Sequence, residues 1–207
     1  VNWQKYFCII ATNFALFISG ISAQDSQTFV VHRHKIGFVV GYGGQQFLNV
    51  PYDYKVYFLQ AQYYYSFAKK QNITSQVRNN PFTFEILLQP QLNFTDYRPV
   101  NDIDARNQGF EYGLNVEILV RRNLINDNLG IYIYLGTGPH YVSGTPRRQS
   151  PGFIFSDNLF MGVYFKLDDN LYLDIRPGFR HISNAGIKNP NGGVNTGILS
   201  GGIFWTL

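Results

Sequence analysis

In the segment HISNAGIKNPNGGVN, residues 181–195, a histidine and a serine stand two positions apart. A serine hydroxyl becomes a nucleophile when a base takes its proton, and a nearby imidazole can be that base. On an extended strand residues of like parity share a face, with Cα atoms about 6.5–7 Å apart at this spacing. Side chains can close that gap to a hydrogen bond, so His181 and Ser183 are a candidate base and nucleophile. The Asn184-Ala185-Gly186 that follows can aim donors, those of Asn184 and Gly186 among them, at an oxyanion developing on an attacked carbonyl. Such a base also needs a partner on its second ring nitrogen. The chemistry on offer is acyl transfer.

What matters next is which surface the pair occupies. The chain has 207 residues, with 15 Tyr and 18 Phe but only 14% charged residues, so an apolar outer surface is expected as well as a core. The formal charge of +4 comes without a dense Lys/Arg run, which sets nucleic-acid binding aside. Residues 1–23 read as a cleaved signal peptide: Lys5, then the apolar YFCIIATNFALFISG, then ISA as a small-residue cleavage site before Gln24. Cys8 lies inside that segment. The expected mature domain, 24–207, therefore has no cysteine, and disulfides, thiol catalysis and Cys-based zinc sites go together.

No later run is apolar enough for a membrane-spanning helix. Instead, period-2 alternation recurs around 34–43, 55–67, 82–94, 109–120, 130–142, 153–167, 171–181 and 195–206, each closed by a turn-rich segment. One face of each run is rich in Phe, Tyr, Leu and Val. The other is polar or small, as in Glu85, Gln89 and Gln91, in Glu111 and Glu117, and in Asp174, Arg176 and Arg180. A soluble sandwich also alternates. The dense apolar faces, the even strand number and the export signal favour an all-β fold: an eight-stranded antiparallel outer-membrane β-barrel with apolar residues outside. Eight strands leave an interior filled by side chains, so Glu85, Glu117, Asp174 and Arg176 are expected in a lumen network. With both termini periplasmic, 44–54, 95–108, 143–152 and 182–194 become extracellular loops. Arg98, Arg106, Arg147 and Arg148 then sit in loops two and three, either as solvated tips or facing anionic groups of the outer leaflet.

Leu171, Leu173, Ile175, Pro177 and Phe179 form the lipid face of the seventh run, and His181 and Ser183 share their parity. Without a bulge, both point out of the barrel near its outer rim. A polar pair facing lipid is costly unless it works there, or unless it has already passed the membrane edge. His140 falls on lumen parity and reads as structural. His32 and His34 lie near the periplasmic end without an acidic partner in sequence. No metal-ligand spacing is present, and GYGGQQ lacks the strand-to-helix context of a nucleotide loop.

The motif HISNAGIKNPNGG resembles the signature of the lipid A 3-O-deacylases, the PagL family, and the strand pattern extends the resemblance over the mature chain. The resemblance implies an eight-stranded barrel whose His-Ser site lies on the outside wall. It implies His181 as base, Ser183 as nucleophile and Asn184 in the oxyanion hole. The family's acid falls twelve residues after the serine; here that position is Asn195. An amide oxygen can hold the imidazole tautomer but cannot neutralise an imidazolium. Another carboxylate could serve, and Asp157 is the candidate: if Asp168-Asp169-Asn170 is a three-residue hairpin loop and Leu167 pairs with Leu171, Asp157 pairs with His181 on the same face.

These readings converge on an outer-membrane serine esterase removing an ester-linked acyl chain, at the 3-O position, from lipid A or lipopolysaccharide. Arg147, Arg148, Phe155 and Phe179 are expected substrate contacts, and no cofactor is expected. The partners implied are lipopolysaccharide and the membrane; a homodimer is left open. Two alternatives stand beside it: a non-catalytic barrel binding lipopolysaccharide or supporting the envelope, and a phospholipid esterase at the same site.

Overall fold

The structure is a computed structural model of the chain that describes residues 32–45, 48, 52–67, 82–98, 106–125 and 127–207. The signal segment expected at 1–23 lies outside the described residues. The alternating runs form β1 (His34–Gly44), β2 (Tyr54–Ser66), β3 (Thr83–Tyr97), β4 (Asn107–Ile125), β5 (Leu129–Thr137), β6 (Pro139–Val142), β7 (Gly152–Asp168), β8 (Leu171–Ser183) and β9 (Val194–Thr206). Neighbouring strands pair antiparallel and β9 returns to β1, so the sheet closes into a ring. Closure leaves the ring without an edge strand, which a membrane-spanning sheet requires.

The fifth run, expected continuous, is broken at Gly138. The break is local. Val116 pairs with Thr137 on one side and Gly113 with His140 on the other, so the register on β4 runs through without a slip. At Gly138 the two backbones approach so closely that a Cβ would lie 1.9 Å from the Leu114 carbonyl oxygen, which only glycine permits. β5 and β6 therefore act as one strand of an eight-stranded barrel.

The outer face is apolar, and the interior, expected to be polar or small, mixes charged side chains with a cluster of buried large ones that includes Phe58, Leu87, Leu119, Tyr134 and Phe160. Phe38, Val40, Phe94, Leu114, Ile118, Leu135, Phe153 and Leu199 are exposed on the outside, while Glu85, Glu111, Glu117, Asp174, Arg121, Arg176 and Arg180 are buried inside. Most of these lumen charges are paired, while Glu117 accepts from the amides of Gln89 and Asn158. Glu85 takes Lys35 and, at 3.3 Å, Arg121; Arg176 lies 3.4 Å from Asp174; Glu111 takes Arg180 and, at 2.5 Å, His140 Nδ1. Pairing of this kind is what makes buried charge tolerable. His140 also reaches Asn115 Oδ1 at 3.0 Å, a structural member of the network.

The turn after β7 differs from expectation. Asp168, not Leu167, pairs with Leu171, and the ladder shifts between Lys166 and Asp168. The bulge absorbs the extra residue, so the register further along is the one a three-residue loop would set. Asp157 faces His181, and Phe155 faces Ser183.

Candidate active site

β8 carries His181 and Ser183 on its outer face, both half-buried, while Arg180 and Ile182 between and beside them are buried toward the lumen. The Arg180–Glu111 pair thus anchors the strand from behind. Both residues stand at the loop end of β8, where 184–193 begins.

Asn195 of β9 lies directly opposite His181 in register. Its Oδ1 is 2.6 Å from His181 Nδ1. An amide oxygen only accepts, so Nδ1 carries the proton and Nε2 is left as the basic nitrogen. Gly193 presses on the other edge of the ring: with φ +63°, a Cβ there would fall 2.4 Å from His181 Cε1 and 3.0 Å from Nε2. No hydrogen bond joins Ser183 Oγ to the imidazole among the described residues; the strand repeat alone holds them on one face.

Asp157 occupies the expected register across from His181 on β7, but its Oδ1 accepts from Thr137 Oγ1 at 2.6 Å. It is drawn toward β5, and the imidazole's hydrogen-bond partner is Asn195.

The turn after the serine is tightly knit. Ala185 sits at φ 52°, a left-handed conformation uncommon for a non-glycine residue. Asn184 is buried. Its N–H donates to Asn191 Oδ1 at 2.9 Å, its Nδ2 to Lys188 O at 2.6 Å, and its Oδ1 accepts from Gly186 N–H at 3.1 Å. The donors expected for an oxyanion therefore have partners in the resting turn, although a carboxamide nitrogen carries a second hydrogen.

Loop 143–151 braces loop 184–193. Gly192 N–H donates to Arg148 O at 2.7 Å, Ser150 N–H to Pro190 O at 2.8 Å, and Gly193 N–H to the side-chain oxygen of buried Gln149 at 3.1 Å. The Arg148 guanidinium donates back to Gly192 O at 3.1 Å and lies 5.0 Å from the Tyr52 ring centroid. Arg148, expected to meet substrate, is thus tied to the neighbouring loop although exposed, while Arg147 is exposed beside it. Arg98 and Arg106 are not free tips either: Asp53 takes both, at 3.1 and 2.6 Å, and Asp96 takes Arg106 at 2.6 Å. Phe155 is half-buried beside Ser183, and Phe179 is exposed two residues before His181 on the same face.

Sequence reasoning missed Tyr52, Gln149 and Gly193. Tyr52 OH is 2.5 Å from Asn195 N and 3.0 Å from Asn195 O, across 143 positions of sequence. No periodicity marks a loop residue, and only the glycine of the NGG step carried a local signal. Among the described residues no group of three His, Cys, Asp or Glu side chains is placed to hold a metal ion.

The model of the family "Lipid A 3-O-deacylase (PagL)" matches residues 57–203, well over half of the chain. The chain belongs to the PagL family. Among solved structures, that of the outer membrane enzyme PagL is similar with a TM-score of 0.54 and 18% identity, covering 81% of this chain and 97% of that one. Neisserial surface protein A is similar with a TM-score of 0.45 and 13% identity, covering 84% of this chain and 97% of that one. No curated protein sequence matches. As a PagL-family member this chain is an outer-membrane β-barrel of a lipid A deacylase family, and His181 and Ser183 stand on the outside of its ring.

Proposed function

We propose that the protein hydrolyses an ester-linked acyl chain of lipid A, at the 3-O position, with Ser183 as nucleophile and His181 as general base. Ser183 Oγ attacks the ester carbonyl as its proton passes to His181 Nε2. The tetrahedral oxyanion is received by the turn after the serine: the second Asn184 Nδ2 hydrogen and Gly186 N–H, which exchanges Asn184 Oδ1 for it. His181 gives that proton to the departing sugar oxygen as the C–O bond breaks, so the sugar leaves as its hydroxyl and an acyl-Ser183 ester remains. Water, deprotonated by His181, then releases the fatty acid and restores the serine. The substrate already lies in the outer leaflet, so a sideways-facing site meets it without extraction. Phe155 and Phe179 would line the acyl tail, and Arg147 is an exposed cation for the phosphate side.

The observation that carries this reading is the 2.6 Å Nδ1 to Oδ1 bond, because it fixes the tautomer that makes Nε2 a base on the same face as Ser183. The same residue is what favours a second reading, a non-catalytic lipopolysaccharide-binding barrel, since Asn195 brings no charge to the imidazolium. Mass spectrometry of lipid A from cells expressing wild type or Ser183→Ala separates them. A 3-hydroxyacyl chain lost with wild type and retained with S183A supports the enzyme. Unchanged lipid A in both overturns it.

A further inference from the structure

Asn195 sits where the barrel wall is incomplete. The β1–β9 ladder ends at the pair Gly44 and Gly197, yet two residues further on Asn195 still pairs with His181 of β8. In an antiparallel pair a residue sends its N–H and C=O to the same side, toward one neighbour. Both backbone groups of Asn195 bond to Tyr52, so they point away from β8, into the gap that β1 has vacated. The His181–Asn195 pair is then of the non-hydrogen-bonded kind, whose side chains approach most closely, in keeping with the 2.6 Å contact between them.

The Tyr52 phenol fills the gap. It accepts from Asn195 N–H at 2.5 Å and donates to Asn195 C=O at 3.0 Å, standing in for a missing strand with a single hydroxyl. Burial raises its pKa above the usual 10.0, so the hydroxyl keeps the proton it must donate. Arg148 stacks on the ring and bonds Gly192 O, so three loops meet at the residue that orients the histidine.

We infer that Tyr52 is a positioning residue for the acyl-transfer reaction: by clamping the Asn195 backbone it holds Oδ1 on His181 Nδ1. This inference rests on the functional reading above. A loop residue that merely stabilised the rim would act on activity independently of Asn195; a clamp acts only through it.

The test is a double-mutant cycle of Tyr52→Phe and Asn195→Ala. The proteins are refolded in detergent, with barrel formation checked by heat-modifiable migration and release of 3-hydroxy fatty acid from purified lipid A measured. Phe keeps the ring under Arg148 and removes only the hydroxyl. Mispositioning a base costs rate rather than affinity, so Y52F should lower kcat roughly ten-fold with KM nearly unchanged. In the N195A background it should lower kcat by less than about two-fold, because the clamp then has no side chain to position; uncoupled changes would instead add and give the same ten-fold fall. Wild-type kcat in Y52F, or an equal fall in both backgrounds, overturns the clamp. Should Y52F not form a barrel, amide exchange in the wild-type protein decides: slow exchange at Asn195 is expected, and exchange as fast as at open loop amides overturns it. Wild type inert toward lipid A, or S183A as active as wild type, would instead overturn the functional reading, and the Asn195 exchange rate would still decide the clamp.

Discussion

His181 and Asn195 face each other across β8 and β9, Nδ1 to Oδ1 at 2.6 Å, at the position where the motif's resemblance implies an acid. The amide performs half of the acid's task. It selects the tautomer with a free Nε2, but it cannot stabilise the imidazolium that forms when Ser183 gives up its proton. Replacing Asn195 with Asp keeps the shape and adds the charge. Charge-assisted hydrogen bonds are about twice as strong as neutral ones, so N195D should raise kcat on the order of ten-fold. Steady-state release of fatty acid from purified lipid A by N195D and wild type checks this. A fall in N195D would mean that Oδ1 is not the imidazole's partner.

Asp157 tests how far a charge must be from the ring to stop mattering. It stands opposite His181 in register, but Thr137 Oγ1 holds its carboxylate toward β5. What remains is a through-space field at the solvated rim, worth about 1 kcal/mol at most in a high dielectric, or about five-fold in rate. Asp157→Ala should therefore cost no more than that, while N195A costs more by loss of the tautomer lock. The reverse ranking would make Asp157 the orienting acid.

The strand pattern was legible because a barrel in lipid enforces strict alternation: Phe38, Val40, Phe94 and Ile118 must face out and Glu85, Glu117 and Arg176 in. The sidedness of His181 and Ser183 follows from the same parity, carried two residues past Phe179. The Asp157–His181 register was also legible, although the hairpin that sets it is a bulge plus a tight turn rather than a three-residue loop. Contacts between loops were not. Tyr52 reaches Asn195 only because the ring closes β1 onto β9, and Arg148 and Gln149 reach Gly192 and Gly193 only once β7 and β8 pair; no local pattern encodes a contact across 143 positions. The fate of Arg98, Arg106 and Arg148 was hidden for the same reason. Their partners Asp53, Asp96 and Gly192 O lie near them only at the folded rim.

Behind the site, Glu111 is the shared acceptor of Arg180 and His140 in the lumen. Removing one member of a buried charge network leaves the others uncompensated, at a cost of roughly 3–5 kcal/mol. Glu111→Ala should shift the urea midpoint of unfolding in micelles, followed by tryptophan fluorescence, sharply downward. Glu111→Gln, which keeps an acceptor, should shift it less. Because Arg180 adjoins His181, the loss of stability should begin at the loop end of β8. An unchanged midpoint in E111A would show that the network does not hold that strand.

Gly193 offers the most local test of the catalytic geometry. Its φ of +63° disfavours a side chain, and an alanine Cβ would lie 2.4 Å from His181 Cε1, inside any tolerable contact. The backbone cannot yield easily, since Gly193 N–H is bonded to buried Gln149 and the neighbouring Gly192 is bonded to Arg148 O. The freer body is the imidazole, so Gly193→Ala should push the ring off Asn195 Oδ1 and away from Ser183. A displacement of about 1 Å can cost 10²-fold in rate, so kcat should fall by about that factor. Barrel formation should survive, because the change lies outside the sheet ladders. A smaller residue at position 181 relieves the clash but removes the base, so no second-site change at 181 can restore activity. G193A with full activity and an intact barrel would mean that the ring does not rest on this glycine during catalysis.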